Sequence, residues 1–111
     1  MTAKSDRNPL AEIIELLGKK WVLRILWELR EEPLTFRELR AACDNLSPSV
    51  LNQRLKLLED ALLITKNSPR GYALTSIAQE LSDLYPPLKS WAARWVEHRA
   101  GQADMNSELH K

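Results

Sequence analysis

Apolar side chains recur at helical spacing through most of this chain, and capping residues indicate where the helices begin. Asn8 followed by Pro9 is typical of a helix start, because Asn accepts a hydrogen bond from a free backbone amide and Pro fits the first turn. Gly18 predicts the end of this helix. Its apolar positions are Leu10, Ile13, Ile14 and Leu17. A second helix is predicted over residues 20–31, because the residue before a proline, here Pro33, avoids the helical region.

Two further helix starts in the middle of the chain carry stronger signals. Thr35 and Glu38 have the spacing of a capping box, in which each side chain accepts a hydrogen bond from the other residue's backbone amide. Ser47 and the proline after it repeat the N-cap and first-turn pattern. The Asp-Asn pair at residues 44–45 predicts a turn between these two helices. Two capped helices joined by a short turn predict a helix-turn-helix over residues 35–60.

A short hairpin and a long apolar helical region follow. Residues 63–74 contain two short, partly β-branched runs around a cluster of turn-forming residues, which predicts a two-stranded wing. Residues 75–98 are predicted to be helical, with a kink or break at Pro86 and Pro87. Helically spaced apolar residues in this region form an apolar seam. They are Leu81, Leu84, Leu88, Trp91 and Trp95. The polar residues 99–111 are expected to form a flexible tail.

The predicted fold is therefore mainly α with a small β-hairpin, an α+β winged helix-turn-helix with dimerisation helices at its N- and C-terminal ends. Residues 1–98 would form this single domain. The apolar seam offers more apolar surface than a terminal helix on a small monomer needs, and monomers rarely expose such a patch. A two-fold homodimer is therefore expected, with an interface on the first and last helices. Its predicted residues are Leu10, Ile13, Ile14, Leu17, Leu84, Leu88, Trp91 and Trp95.

The helix that begins at Ser47 has a polar face suited to reading DNA. At 100° per residue, a leucine stripe at positions 51, 55, 58 and 62 is predicted to be buried, and the opposite side carries hydroxyl, amide and ammonium groups. Asn and Gln can bond adenine edges, and Ser and Lys reach bases or phosphates. An ordinary solvated helix face is the alternative. The predicted DNA-binding residues are Thr35, Arg37, Ser47, Ser49, Asn52, Gln53, Lys56 and Arg70.

Charge and composition are compatible with DNA binding but would not indicate it on their own. The chain has 111 residues, 44% of them hydrophobic, and a net charge of only +1. Residues 35–70 hold six basic and four acidic side chains, a balance of +2, so DNA affinity would depend on where the cations lie and on doubling in a dimer. No apolar run approaches the ~18 residues of a membrane span, and no secretory signal is visible. With one cysteine, these features favour the reducing cytoplasm.

Other chemistry has little support in the sequence. Cys43, at a predicted helix C-terminus, is expected to be a small buried hydrophobe, since that end of a helix opposes thiolate formation. His98 and His110 lack partners at metal-ligand spacing. No activated nucleophile or phosphate-binding loop is present, so neither an enzyme, a cofactor nor a metal site is expected. The four tryptophans favour packing, although they leave a pocket for a small-molecule effector open.

Four segments, taken in order, resemble the motifs of HxlR-type regulators within the winged-helix superfamily. They are Gly18-Lys19-Lys20-Trp21 with Ile25-Leu26, then Phe36-Arg37-Glu38-Leu39, then Ser47 with residues 50–59, and finally Tyr72-Ala73-Leu74-Thr75. A tryptophan late in the last helix, Trp91 or Trp95, is also similar to the family pattern. The resemblance covers roughly residues 9–96.

This resemblance implies a homodimer that binds duplex DNA at an inverted repeat, usually as a repressor and sometimes as an activator. The dimer of such proteins is typically built from the first and last helices, and no catalysis or bound metal is implied. Many members carry a Cys-Pro pair before the first helix that senses oxidants, and Asn8-Pro9 stands there in this chain. The wing is also shorter than is usual in the family. The alternative function is a winged helix used for protein contacts, which would place acidic or large apolar residues at the outward positions of this helix, now held by Ser49, Asn52, Gln53 and Lys56.

Overall fold

The computed structural model describes residues 8–109, without the side chains of residues 67, 68 and 104–109. Within residues 8–109, six helices and one hairpin follow one another. They are α1 (Pro9–Leu17), α2 (Val22–Glu28), α3 (Phe36–Ala42), α4 (Pro48–Asp60), β1 (Ile64–Ser68), β2 (Gly71–Leu74), α5 (Ser76–Ser82) and α6 (Tyr85–Leu109). This order confirms the predicted class, a mainly helical fold with a two-stranded hairpin. The chain divides into two compact units, one up to Gln79 and the other from Glu80.

The core of the first unit is built from one apolar side of α2, α3 and α4, closed by the hairpin. Spacing of three or four residues places these side chains on a single face of each helix, and their removal from water stabilises the unit. The fully buried large side chains are Val22, Ile25, Leu29, Leu39, Cys43, Leu51, Leu55 and Leu58. Helix α1, by contrast, has no buried residue. Helix α2 is shorter than predicted, because Trp21 adopts a left-handed conformation with φ of 79° and the helix starts only after it.

The leucine stripe of α4 ends earlier than the sequence predicted. Leu51, Leu55 and Leu58 are buried, but the prediction that Leu62 continues the stripe is wrong, since 71% of its surface is exposed. The helix stops at Asp60, and Leu62 has a left-handed φ of 62°. Its amide donates to the Glu59 carbonyl, and the Leu63 amide donates to the Leu58 carbonyl, both at 3.0 Å. This is a Schellman ending, in which the chain reverses and helical spacing no longer applies.

The wing pairs β1 with β2 in antiparallel register, Ile64 opposite Leu74, with an irregularity before Ser68 pairs with Gly71. Leu34 adds a further bridge to the hairpin, because its amide and carbonyl exchange hydrogen bonds of 2.9 and 2.8 Å with those of Tyr72. Gly71 has a φ of 115°, and a Cβ there would overlap the Leu34 carbonyl. The wing is thereby attached to the residue that precedes the N-cap of α3.

The C-terminal region confirms the predicted break at the prolines. Thr75 caps α5 by accepting a hydrogen bond of 3.4 Å from the Ala78 amide. A new helix, α6, starts at Tyr85 and holds Pro86 and Pro87 in its first turn, where a missing amide proton removes no helical bond. Helix α6 then continues to Leu109, through most of the segment expected to be a tail. After Pro87 the helix contains no further proline, and Gly101 is its only glycine. The flexibility of that segment stays a prediction, and residues 110–111 lie outside the described part.

The left-handed conformation of Leu62 generates a stability prediction. Replacing Leu62 with Gly should raise the free energy of unfolding by about 1 kcal/mol, since only Gly adopts this conformation without a Cβ penalty and the lost side chain is mostly exposed. Leu62→Ala removes the same apolar surface but keeps the Cβ, and should not stabilise. Urea unfolding of both variants measures the difference. Equal midpoints for the two variants would contradict the role of the backbone conformation.

Candidate nucleic-acid interface

Helix α3 begins with the predicted capping box. The Glu38 amide donates to Thr35 Oγ1 at 3.1 Å, and the Thr35 amide donates to Glu38 Oε1 at 2.9 Å. Both side chains remain exposed at the start of the helix, next to the exposed Arg37. The box fixes where α3 starts, and the Leu34 bridge fixes where that start lies relative to the wing.

A tight turn joins α3 to α4, as the sequence predicted. Asp44 and Asn45 have left-handed φ values of 60° and 57°, and the Leu46 amide donates to the Cys43 carbonyl at 3.1 Å. Two consecutive left-handed residues within such a hydrogen bond define a type I′ turn. Asp and Asn tolerate this conformation better than most residues. The residue types at positions 44 and 45 therefore suit the turn that joins the two helices.

Three arginines hold the helices together through backbone carbonyls, which the sequence did not indicate. Arg24 Nη2 donates to the Ala42 carbonyl, Arg40 Nε to the Leu46 carbonyl at 2.7 Å, and Arg54 Nε to the carbonyl of residue 20 at 2.8 Å. Arg40 and Arg54 had been counted among the basic side chains available for DNA. No sequence signal could have found these bonds, because a carbonyl acceptor is present at every residue and those of Arg24 and Arg54 lie 18 and 34 positions away.

Arg24 also carries an ion pair on its own helix. Its Nε donates to Glu28 Oε2 at 2.8 Å, and Asp44 lies 3.9 Å from its Nη1. The hydrogen bond with Glu28 raises the pKa of the Arg24 guanidinium. Arg24 is therefore a link between α2, the end of α3 and the turn residue Asp44.

The outward face of α4 brings four predicted DNA-binding residues together. Ser49, Asn52, Gln53 and Lys56 are all exposed. Lys56 Nζ lies 3.8 Å from Asp60 Oδ2 in an exposed pair one helical turn apart, a weak interaction that leaves the ammonium in solvent. Ser47 differs from the others, because its hydroxyl accepts a hydrogen bond of 3.2 Å from the Val50 amide and so caps the helix.

The wing places Arg70 in the turn between β1 and β2, and its side chain is exposed. Arg70 Nη2 lies 3.8 Å from Oε1 of Glu32, which lies in the segment between α2 and α3. Lys66 lies over the ring of Tyr72, 5.5 Å from its centroid. The cation at the tip of the wing therefore has an acidic neighbour that the sequence interpretation had not considered.

The predicted dimer residues lie on two helices that leave apolar surface uncovered in the single chain. On α1, Leu10 and Ile14 are exposed, and the other two predicted residues are half-buried. On α6 and just before it, the four predicted residues Leu84, Leu88, Trp91 and Trp95 are all exposed. The rings of Trp91 and Trp95 stack with centroids 6.2 Å apart, and Arg99 lies over Trp95. Tyr85 and Val96 extend the exposed apolar surface of α6, and the sequence reasoning had not included them.

A groove of about 440 Å³ lies between α1 and the end of α4. Ile13, Leu16, Leu57 and Leu63 contribute apolar lining, and acidic side chains from both helices border it. None of the four tryptophans that suggested an effector pocket lines this groove. An effector site formed by tryptophans stays a prediction.

Cys43 is fully buried at the end of α3. Burial raises the pKa of its thiol, because the thiolate would lose its hydration. Among residues 8–109, no three potential metal ligands cluster together, and His110 lies outside that range. In the same part of the chain, no helix combines the length and apolarity needed to cross a membrane.

Residues 16–100 match the family model described as HxlR-like helix-turn-helix. The HTH-type transcriptional regulator YvaP of Bacillus subtilis strain 168 is 31% identical to this chain over 90 residues, which cover 76% of this chain and 83% of YvaP. A second HTH-type transcriptional regulator, MJ0925 of Methanocaldococcus jannaschii, is 34% identical to this chain over 89 residues, which cover 77% of this chain and 83% of MJ0925.

Two solved structures show the same fold. Quinone-bound YodB from B. subtilis matches with a TM-score of 0.73 at 27% identity, over 79% of this chain and 99% of YodB. An HxlR family transcriptional factor from Thermoplasma volcanium GSS1 matches with a TM-score of 0.65 at 27% identity, over 78% and 84% of the two chains. These similarities confirm the winged helix-turn-helix predicted from the sequence.

The burial of Cys43 predicts an unreactive thiol. In the native protein at pH 8, iodoacetamide should modify Cys43 at least about tenfold more slowly than it modifies the unfolded chain, because the raised pKa and the lack of access both reduce attack. The raised pKa of Cys43 also predicts that the free energy of unfolding falls above about pH 8.5, because the thiol ionises at a lower pH in the unfolded chain than in the folded one. Cys43→Ala should remove this part of the fall.

Mass spectrometry after timed alkylation measures the rate, with the chain in concentrated guanidinium as the reference. Equal rates in the two states would show that Cys43 is accessible and would overturn the assignment of a buried, inert thiol.

Proposed function

This chain belongs to the HxlR-like helix-turn-helix family, and we propose that it recognises a specific duplex DNA sequence as a homodimer and represses transcription. Family membership makes it a DNA-binding transcriptional regulator and not an enzyme. The observation that carries the finer proposal is the exposed polar face of α4, opposite its buried leucine stripe. The proposed site of action is the cytoplasm, where such a regulator would meet chromosomal DNA.

Sequence recognition is assigned to α4, inserted in the major groove. The amides of Asn52 and Gln53 can each form two hydrogen bonds with an adenine edge, and the hydroxyl of Ser49 can reach a base or a phosphate. Lys56, one turn further along the helix, suits a phosphate. A face without an exposed carboxylate until Asp60 avoids repulsion from the DNA backbone.

The flanking contacts come from α3 and the wing. Thr35 and Arg37 lie at the exposed start of α3, and Ser47 at the start of α4, where backbone amides and side chains can hold phosphates. Arg70 is assigned to a minor groove or a flanking phosphate. Glu32 competes with DNA for that guanidinium, so the contribution of the wing is modest.

Dimerisation supplies the rest of the affinity. The exposed apolar residues of α1 and α6 provide the surface for a second copy, since a monomer rarely leaves such patches in water. A two-fold dimer would set two recognition helices about 34 Å apart, or a small multiple of that, along the duplex. The operator would then be an inverted repeat.

Gln53 and Lys56 test the proposed DNA-binding face. Gln53→Ala should weaken binding to the preferred site by about 1–3 kcal/mol and relax specificity at one or two base pairs, because base-edge hydrogen bonds are lost. Lys56→Ala should weaken binding to all sequences similarly, because phosphates are common to them. The preferred site comes from selection on random duplexes, and fluorescence anisotropy measures both variants.

Two results would contradict this assignment. Wild-type affinity in both variants would show that another face of the protein contacts DNA. Failure of the wild type to bind any duplex even at low salt would favour the alternative, a winged helix that binds another protein.

The dimer is tested at Trp95, which is exposed on α6. Trp95→Glu should shift the protein from dimer to monomer in sedimentation equilibrium at low micromolar concentration, because a carboxylate loses its hydration in an apolar interface and the neighbouring Arg99 offsets only part of that cost. Leu23→Glu is the matched control, since Leu23 is also an exposed apolar residue but lies on α2 outside the predicted interface. A wild-type protein that is monomeric and still binds its site tightly would refute the dimer.

A further inference from the structure

Helix α4 carries two basic residues, and they point in different directions. Lys56 lies in solvent, whereas the guanidinium of Arg54 turns back towards the protein. Its side chain is half-buried, and its Nε donates a 2.8 Å hydrogen bond to the carbonyl of Lys20. Lys20 lies in the connection between α1 and α2, 34 residues earlier in the sequence. The bond therefore joins the recognition helix to a distant backbone segment.

The acceptor belongs to a well-defined turn. The carbonyls of Leu16, near the end of α1, and of Lys19 and Trp21 in the connection accept backbone amides at 3.1, 3.2 and 2.9 Å, and Trp21 has a left-handed conformation. Arg54 supplies the partner for the Lys20 carbonyl within this turn. The backbone hydrogen bonds on either side of Lys20 define the turn, and Arg54 bonds to a carbonyl within it.

The position of Arg54 on α4 determines what this hydrogen bond controls. Arg54 directly follows Gln53 on the helix. The buried leucines resist rotation of α4 through packing, and the Arg54 hydrogen bond adds a directional contact. At a side-chain radius of about 5–6 Å, a 20° rotation about the helix axis would move a surface group by about 2 Å. A hydrogen bond to a base edge tolerates much less than this. The Arg54 hydrogen bond therefore acts on the same rotation that aligns Asn52 and Gln53 with the bases.

We propose that Arg54 is a positioning residue, which fixes the rotation of α4 through the Lys20 carbonyl and does not itself hold a phosphate. This inference rests on the proposed function of α4 in reading DNA. It assigns specificity to a side chain that touches no base. It also links the recognition helix to the segment that directly follows α1.

Two substitutions separate position from charge. In Arg54→Gln, the amide nitrogen occupies the place of Nε in the side chain, so the donor to Lys20 is kept and the charge is removed. In Arg54→Lys, a carbon occupies that place, so the charge is kept and the planar donor is lost. Lys56→Gln is the matched control, a loss of charge at an exposed cation on the same helix.

The measurement is affinity for the selected site and for a random duplex across a salt series. Arg54→Gln should keep the ratio of specific to random affinity within about threefold of wild type, with an unchanged slope of log affinity against log salt. Arg54→Lys should lower that ratio about tenfold or more, also with an unchanged slope. Lys56→Gln should flatten the slope by about one unit, as expected for the loss of one phosphate contact.

The opposite pattern would overturn the proposal. If Arg54→Gln flattens the slope by about one unit while Arg54→Lys retains both slope and ratio, Arg54 is a phosphate contact. Circular dichroism confirms folding of each variant, and the Gln variant alone decides the point if the Lys variant does not fold. If the wild type binds no duplex, the proposed function itself is refuted. If the wild type binds its site and the two variants show the opposite pattern, only the role of Arg54 is refuted.

Discussion

Burial of one leucine stripe on α4 is the constraint on which the rest of this structure depends. Leu51, Leu55 and Leu58 are withdrawn almost completely from water, together with apolar residues of α2 and α3. Because a helix that buries one side must present the other, this packing obliges Asn52 and Gln53 to face solvent. The proposed DNA-reading surface is thus a consequence of where the core lies.

The basic residues divide into two groups with different tasks. Arg24, Arg40 and Arg54 direct hydrogen bonds to carbonyls in α3, the turn and the α1–α2 connection, and so link these segments to one another. Lys56 and Arg37 remain in solvent. Arginine's planar donors suit fixed backbone acceptors, and the exposed Arg37 shows that position on the helix, not residue type alone, decides which cations stay in solvent. In a chain with a net charge of +1, few cations are therefore left for the proposed contacts with DNA.

The ends of the chain present the opposite situation, helices whose apolar residues are not covered. Helix α1 has nine residues and buries none of them, and an isolated helix of that length is marginal in water. Helix α6 exposes both tryptophans of its apolar seam. A second copy that covers these surfaces would stabilise the helices that carry them, so folding and assembly of these segments would be coupled.

The sequence by itself determined the features that depend on neighbouring residues. Asn8, Thr35 and Ser47 mark helix starts because each side chain bonds an amide two or three positions away, and the Asp-Asn turn works through local backbone preference. The polar face of α4 follows from periodicity alone. Only the tertiary structure decided the rest. Leu62 is exposed because the helix ends two residues before it, and Arg54 is bonded to Lys20 because folding brings distant segments together. Gly71 is required because Leu34 lies against it. Each of these depends on a contact between residues or a change of direction that periodicity does not encode.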